Sequence, residues 1–231
     1  MSSRLNICLQ ARGKKSLCSL AIHISLDGHS IERVNRYKCL GVQVDETLSW
    51  EAHISEVVGK VAKVLAIRRL RPIYPQSTLV TIYKSLILQH LDYCSAVWGC
   101  IGNSLSQKLE KLKNRAARII TGSSWNASSA PILHALKWDS LADRRAKQLK
   151  SLMFKTVNNL VPEYLSDKFA SINTMHRHNL RGAHHNLFIP RPNTEALKKR
   201  FRYRGAVTWN SLSAEAKQAT TLNCFYSAIV H

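Results

Sequence analysis

The acidic residues of this sequence are poorly placed for metal-ion catalysis. Two-metal phosphoryl transfer needs carboxylates that converge on one Mg²⁺ pair, typically an adjacent Asp-Asp and one further Asp. The sequence contains no Asp-Asp pair. Its adjacent acids, Asp45-Glu46, fit a turn, and helix capping explains the four-residue spacing of Asp139 and Asp143. We therefore expect no catalytic carboxylate site and no enzymatic activity in this chain.

The sequence also lacks the motifs of a hydrolase elbow and of a phosphate-binding loop. Neither Gly-x-Ser-x-Gly nor Gly-x-x-x-x-Gly-Lys-Ser/Thr occurs. Four histidines lie close together at His176, His178, His184 and His185. Because no cysteine lies near them, a polar loop in a basic chain is favoured over a metal site. The sequence predicts neither a metal ion nor a cofactor.

Basic residues form a regular stripe on one predicted helix. Lys108, Lys111, Arg115 and Arg118 repeat at i, i+3, i+7 and i+10 beside an apolar stripe. Such a stripe can follow a phosphate backbone without reading bases. Because Glu110 is the one acid among them, we favour nucleic-acid binding over an ordinary solvated helix face. The preceding helix carries a weaker stripe, formed by Lys60, Lys63, Arg68, Arg69 and Arg71.

The densest basic cluster lies near the C-terminus and contains two aromatic residues. Its bases are Lys198, Lys199, Arg200, Arg202 and Arg204. Phe201 and Tyr203 alternate with them, which suits backbone contacts combined with stacking on bases. Alternatively, the two aromatics pack inward while the bases face water; in a strand both arrangements hold at once.

The charge balance favours a polyanionic partner. Among 231 residues, 34 are Lys or Arg and 14 are Asp or Glu, which gives a net charge of +20. Nucleic acid, bound without sequence preference, is the first candidate. A membrane partner is not expected, because the bases are spread along the chain and the longest apolar region, 79–101, is interrupted by polar and charged residues. The oligomeric state stays open.

The six cysteines and the N-terminal sequence bear on the compartment. The cysteines are scattered without Cys-x-x-Cys spacing, which favours reduced thiols. The first residues lack the apolar stretch of a signal peptide. We expect an intracellular protein, in the nucleus or the cytoplasm.

Periodicity predicts a mainly α fold with a small N-terminal β element and a mixed C-terminal region. Strands are predicted at 21–26, 30–33, 37–44 and 186–190, with a hairpin turn at Asp27-Gly28. Helices are predicted at about 52–70, 77–98, 104–121, 130–136, 141–160, 206–212 and 221–230. Pro72 and Pro75 end the first helix, and Gly122 ends the third.

A series of strings resembles the reverse transcriptases of non-LTR retrotransposons of the jockey/CR1 type. They occur in order at 37–45, 48–50, 82–86, 91–98, 109–118, 160–165, 189–191 and 203–212. The resemblance extends from about Ile22 to the C-terminus. By resemblance, the strand at 37–44 is primer-grip-like, with Tyr37, Leu40 and Gly41 as its key residues. Cys39 stands where the family usually has an aromatic residue.

The resemblance implies four parts and a limited function. These are a remnant of the palm edge at 1–51, a helical thumb-like bundle at 52–122, a helical extension at 123–170, and a basic C-terminal region at 171–231. The expected function is that of a truncated fragment without the catalytic palm, which at most binds template–primer duplex independently of sequence. Two alternatives are a co-opted protein- or nucleic-acid-binding protein and a subunit that complements a separate fingers–palm polymerase.

Overall fold

The computed structural model describes residues 6–7, 24–172 and 185–229. The chain forms two compact units. The first unit runs to Cys94 and resumes at Ile101–Leu141, and the second comprises Ser95–Cys100 and the chain from Ala142 onward. The four-part division expected from the sequence stays a prediction.

Short strands open the first unit. They are β1 (Asn6–Ile7), β2 (Ile24–Leu26), β3 (His29–Arg33), β4 (Arg36–Cys39) and β5 (Val42–Asp45). A three-stranded sheet has the order β1-β3-β2, with β1 parallel and β2 antiparallel to β3, and β4 pairs antiparallel with β5. Asp27 and Gly28 both have positive φ, at 49° and 78°. The predicted hairpin turn between β2 and β3 is therefore confirmed.

The single strand predicted at 37–44 is wrong, because this segment folds back on itself as the β4–β5 hairpin. Leu40 and Gly41 form the turn, with φ of 46° and 83°. Positive φ at both central residues is what a two-residue turn of type I′ requires. Cys39 consequently pairs with Val42, and Tyr37 pairs with Val44.

The rest of the described chain is mainly helical, which confirms the predicted fold class. In chain order the helices are α1 (Glu51–Val64), a 3₁₀ helix (Leu65–Leu70), α2 (Gln76–Tyr83), a π-helical turn (Lys84–Leu88), α3 (Gln89–Asp92), α4 (Ser95–Trp98), α5 (Asn103–Thr121), α6 (Ser129–Leu136), α7 (Leu141–Val157), α8 (Glu163–Ser166), α9 (Glu195–Lys198), α10 (Phe201–Asn210), α11 (Ala214–Gln218) and α12 (Leu222–Ile229). None of these helices combines the length and apolar character that crossing a bilayer demands.

The helix predicted at 77–98 is interrupted and only partly buried. The π-helical turn follows α2, and α3 ends before Cys94, whose φ of 52° breaks the helix. One row of side chains, Leu79, Tyr83, Ile87 and Leu91, is buried. Other side chains along this stretch are open to solvent, with Leu86 46% and Tyr93 51% exposed. The single helix predicted at 77–98 is therefore divided into shorter segments, with one buried row of side chains.

The core of the first unit lies between α1, α2 and α5, and α6 packs on α5. Its buried side chains include Ile54, Val57, Val61, Leu79, Tyr83, Leu109, Ala116 and Ile120. Lys113 is buried as well, at 1% exposure. Its Nζ donates to the carbonyl oxygen of Asp139 at 2.8 Å and forms an ion pair with Glu110. Through Lys113, α5 thus holds the segment that connects α6 to α7.

The second unit has its own apolar core. Its buried members are Met153, Phe154, Leu187, Ala206, Trp209, Leu212, Ala216 and Phe225. The strand predicted at 186–190 is reduced to one bridge, between Ser171 and Leu187. The basic cluster near the C-terminus, for which no secondary structure is predicted, forms α9 and the start of α10.

Candidate nucleic-acid interface

A groove of about 990 Å³ lies on the first unit, where the 3₁₀ helix, the end of α5 and the loop after α5 meet. Its basic lining residues are Arg68, Arg71, Lys111, Arg115 and Arg118. The remaining lining residues are Leu65, Pro72, Ile119, Gly122, Ser123, Ser124 and Trp125. We refer to it as the basic groove.

Helix geometry and the positions of two helix ends explain the basic side of the groove. Lys111, Arg115 and Arg118 follow one another at four- and three-residue spacing, so they share one face of α5. Arg68 and Arg71 come from the end of the helical stretch that begins at Glu51, which the nearby prolines stop as predicted. Two separate helix ends therefore present arginines to one concave surface.

Gly122 fits the groove in two ways. It ends α5 in the left-handed region, with φ 71°, and its N–H bonds to the Arg118 carbonyl oxygen. The predicted helix stop is confirmed. In addition, the Arg71 guanidinium occupies the space over this glycine, since an ideal Cβ at 122 would lie 1.5 Å from Nη2 of Arg71. Glycine thus both permits the turn and admits the arginine.

The groove's lining is cationic. Among the described residues that line it, none carries a carboxylate. Glu110, the acid within the predicted stripe, is engaged elsewhere, because it pairs with Lys113 and its Oε2 accepts the Leu141 N–H at 3.0 Å. The positive charge of the wall is therefore left for an anionic ligand.

The other predicted contacts of the first unit lie outside the groove's lining. Lys108 is exposed on α5, one turn before Lys111. Lys63 is exposed on α1, and Lys60 lies beside it with Nζ 2.8 Å from the Glu56 carboxylate. The structure thus gathers Lys111, Arg115 and Arg118, while the roles of the other three lysines stay predictions.

The C-terminal basic cluster belongs to the second unit. It comprises the predicted residues Lys198, Lys199, Arg200, Arg202 and Arg204. Arg204 is half-buried and donates to the Ala96 carbonyl oxygen at 3.3 Å. Lys198 pairs with Glu195 on α9, and the Phe201 ring packs edge-on against Phe169 at 5.3 Å. Phe201 thus packs against the core, as the alternative interpretation expects.

The primer-grip-like residues lie on the β4–β5 hairpin. Tyr37 is partly exposed on β4, and Leu40 at the tip is 85% exposed. The Leu40 carbonyl oxygen accepts a hydrogen bond from the Tyr93 hydroxyl at 2.7 Å. Gly41 follows in the turn, so the hairpin tip is fixed to the end of α3.

Glu56 fastens the same hairpin to α1. Its carboxylate accepts hydrogen bonds from Lys38 of β4 at 3.0 Å and from Gln43 of β5 at 3.2 Å. The bond with Lys60, followed by those with Lys38 and Gln43, lowers the Glu56 pKa from 4.5 to about 2.

Glu56→Gln should remove a pH-dependent part of the stability. A lowered pKa in the folded state stabilises the fold above the unfolded value of 4.5, and this contribution disappears as the pH falls toward about 2. We expect the free energy of unfolding of the wild type to exceed that of the variant by about 1 kcal/mol at pH 7. Urea titrations at pH 7, 4 and 2.5 should show the difference shrinking. Glu32→Gln, at an exposed position of β3, is the control, and a pH-independent difference for Glu56→Gln would contradict the assignment.

The sequence reasoning missed one important residue of the groove. Trp125 lies in a segment, 122–130, whose small polar residues are typical of a linker. Its signal was available nonetheless, since a tryptophan in a polar segment has no apolar partners nearby in sequence. Arg68 and Arg71 were included in the weaker stripe but were not singled out.

The predicted polar, His-rich segment lies mostly outside the described residues. His176, His178 and His184 fall there, and His185 alone is described. Over the described ranges, no three side chains of His, Cys, Asp or Glu cluster in a way that could hold a metal ion.

Three known polymerases are similar to this chain in sequence. The chain is 28% identical over 152 residues to the RNA-directed DNA polymerase from mobile element jockey of Drosophila melanogaster, a match that covers 64% of this chain and 16% of that polymerase. It is 27% identical over 117 residues to the probable RNA-directed DNA polymerase from transposon X-element of the same species, covering 49% of this chain and 13% of the relative. A third relative, the jockey polymerase of Drosophila funebris, is 25% identical over 128 residues, which cover 52% of this chain and 14% of that polymerase.

Other comparisons give no match. No family model matches the sequence, and no solved structure matches it. The chain spans 13% to 16% of the length of the curated relatives above. These matches confirm the resemblance seen in the ordered strings. The chain is reverse-transcriptase-like, similar to the RNA-directed DNA polymerases of the jockey and X-element non-LTR retrotransposons.

Proposed function

We propose that the basic groove binds nucleic acid through its phosphate backbone, without reading base sequence. The observation that carries this proposal is the convergence of five cationic side chains, from the end of the first helical stretch and one face of α5, on one groove of about 990 Å³. Arginine and lysine neutralise successive phosphates and release counterions, which supplies affinity for any sequence. The relatives are RNA-directed DNA polymerases, whose template and product are nucleic acids. Template–primer duplex is therefore the proposed ligand.

We further propose that this chain supplies contacts to nucleic acid and not the chemical step. The adjacent acids Asp45 and Glu46 support this, because both carboxylates have structural partners. Asp45 accepts hydrogen bonds from Thr47, Ser49 and Trp50, at 2.7–3.1 Å. Burial opposes ionisation of Asp45, but these bonds prevail and lower its pKa. Glu46 pairs with Arg33 at 3.1 Å.

An intracellular location completes the proposal. The four cysteines among the described residues, Cys39, Cys94, Cys100 and Cys224, are free thiols. Free thiols on a protein surface suit a reducing compartment.

The salt dependence of binding tests the proposed function. The affinity of the full chain for a labelled RNA–DNA hybrid of about 16 base pairs is measured by fluorescence anisotropy at several salt concentrations. Five phosphate contacts predict a slope of log K against log salt of roughly −4, and hence a loss of roughly 10²- to 10³-fold between 50 and 200 mM. Hybrids of shuffled sequence should behave alike. A flat slope, or no binding at 50 mM salt, would overturn the proposal, and Mg²⁺-dependent primer extension by the chain alone would overturn the non-catalytic role.

A further inference from the structure

One aromatic side chain of the basic groove is almost completely exposed. Trp125 is 88% exposed, whereas Trp50, Trp98 and Trp209 are buried and Trp138 is stacked on Tyr83 with ring centroids 4.1 Å apart. Leaving an indole in water forgoes the roughly 1.5–3 kcal/mol that burial of a large apolar side chain provides. An exposed tryptophan within a binding groove is thus a candidate contact for a ligand.

Hydrogen bonds hold the loop that carries this side chain. The Arg118 carbonyl oxygen accepts the Ser123 N–H at 3.1 Å, and the Arg118 Nε donates to the Ala127 carbonyl oxygen at 2.9 Å. Within the loop, the Ala127 N–H donates to the Ser124 carbonyl oxygen at 3.1 Å. Arg118 therefore fixes both ends of the loop, and Trp125 projects from a defined turn.

The chemistry around Trp125 selects one class of ligand. The five cations of the groove favour a polyanion, and a planar indole favours a planar partner. A nucleic-acid strand carries both features, phosphates along the backbone and a flat base on each sugar. Within continuous duplex, however, both faces of each base are covered by its neighbours.

We propose that Trp125 stacks on an unpaired base of the nucleic acid held in the basic groove. The preferred ligand then contains single-stranded nucleotides, as at the junction where a template continues beyond its primer. The cations of the groove hold the backbone on either side of that base. This inference rests on the proposed function and specifies its ligand.

Variants at Trp125 test the inference in the full chain. Affinities are measured for a 12-nucleotide single strand, as DNA and as RNA, and for a closed circular duplex that has no ends. Trp125→Ala should weaken single-strand binding roughly 5- to 100-fold, because stacking contributes that much per base. Its affinity for the circular duplex and its salt slope should stay those of wild type. Trp125→Phe should keep single-strand binding within about threefold of wild type, since phenylalanine retains a stacking face.

Two outcomes would overturn the stacking role. These are unchanged single-strand affinity in Trp125→Ala and an equal loss for the circular duplex. Each leaves the groove's phosphate contacts to be judged separately, through charge variants at Arg68, Lys111 and Arg115. Intrinsic fluorescence gives a second readout, because quenching by bound oligonucleotide should be largely lost in Trp125→Phe.

Discussion

Replacing Arg68, Lys111 and Arg115 together by alanine should weaken nucleic-acid binding on the order of 10²-fold at about 100 mM salt. All three side chains are exposed and line the basic groove, so their loss removes phosphate contacts without opening the core. Each lost contact flattens the slope of log K against log salt by roughly 0.7–0.9, so the slope should change by about 2–3. The effect should be equal for hybrids of different sequence, as expected of contacts to the backbone.

A control variant with the same change in charge distinguishes the contribution of the groove to binding from that of the overall net charge. Lys84, Lys168 and Arg191 are exposed as well, and they lie outside the groove's lining. Replacing them by alanine removes the same formal charge and should change the affinity by less than a factor of about ten. Equal losses in both triple variants would mean that overall charge, and not the groove, binds the ligand. Arg118 is kept in both because it holds the Trp125 loop.

Lys113→Ala should be the most destabilising single change in the first unit considered above, at about 2–4 kcal/mol. The substitution removes a side chain that is 1% exposed and leaves Glu110 and the Asp139 carbonyl oxygen without its Nζ. The loss has two causes: the truncated side chain leaves a cavity in the core, and its hydrogen bond to Asp139 and its ion pair with Glu110 disappear. Guanidinium titration monitored by circular dichroism measures the change.

Two further variants, one at Lys113 and one at Lys111, identify the cause of the lost stability. Lys113→Met retains much of the stem's volume and removes the charge, so a smaller loss of about 1–3 kcal/mol is expected. Lys111→Ala, at an exposed position of α5, should stay within about 0.5 kcal/mol of wild type. A Lys113→Ala protein within 1 kcal/mol of wild type would contradict the assignment of this lysine as a buried anchor.

Local signals in the sequence predicted the helix ends of the groove. Gly122 has no Cβ to hinder the left-handed end of α5, and Pro72 and Pro75 cannot continue a helix, so both boundaries follow from backbone chemistry. The stripe on α5 follows from its period alone. What joins that stripe to Arg68 and Arg71 is the packing of distant segments, which no local pattern encodes.

Two patterns compete in the segments where the sequence is ambiguous or misleading. Phe201 and Tyr203 alternate with bases as in a strand, whereas Phe201, Gly205 and Trp209 recur every four residues, and core packing in the second unit selects this helical spacing. At 37–44 a run of strand-forming residues conceals the turn at Leu40-Gly41, where leucine adopts positive φ against its own preference. The proposed role of Trp125 cannot be predicted from its local sequence, because it depends on the groove formed around it by distant segments.

The π-helical turn between α2 and α3 has a consequence for the length of related chains. Leu79, Tyr83, Ile87 and Leu91 are buried at strict four-residue intervals. In a regular α-helix such intervals drift by about 40° at each step, whereas the wider turn at Lys84–Leu88 offsets part of this drift. A π-helical turn is also an α-helix with one residue inserted. Deletion of a single residue within 84–88 would therefore convert the π-helical turn into regular α-helix and leave α2 and α3 intact. A one-residue gap at this place in an alignment of relatives would have the same effect.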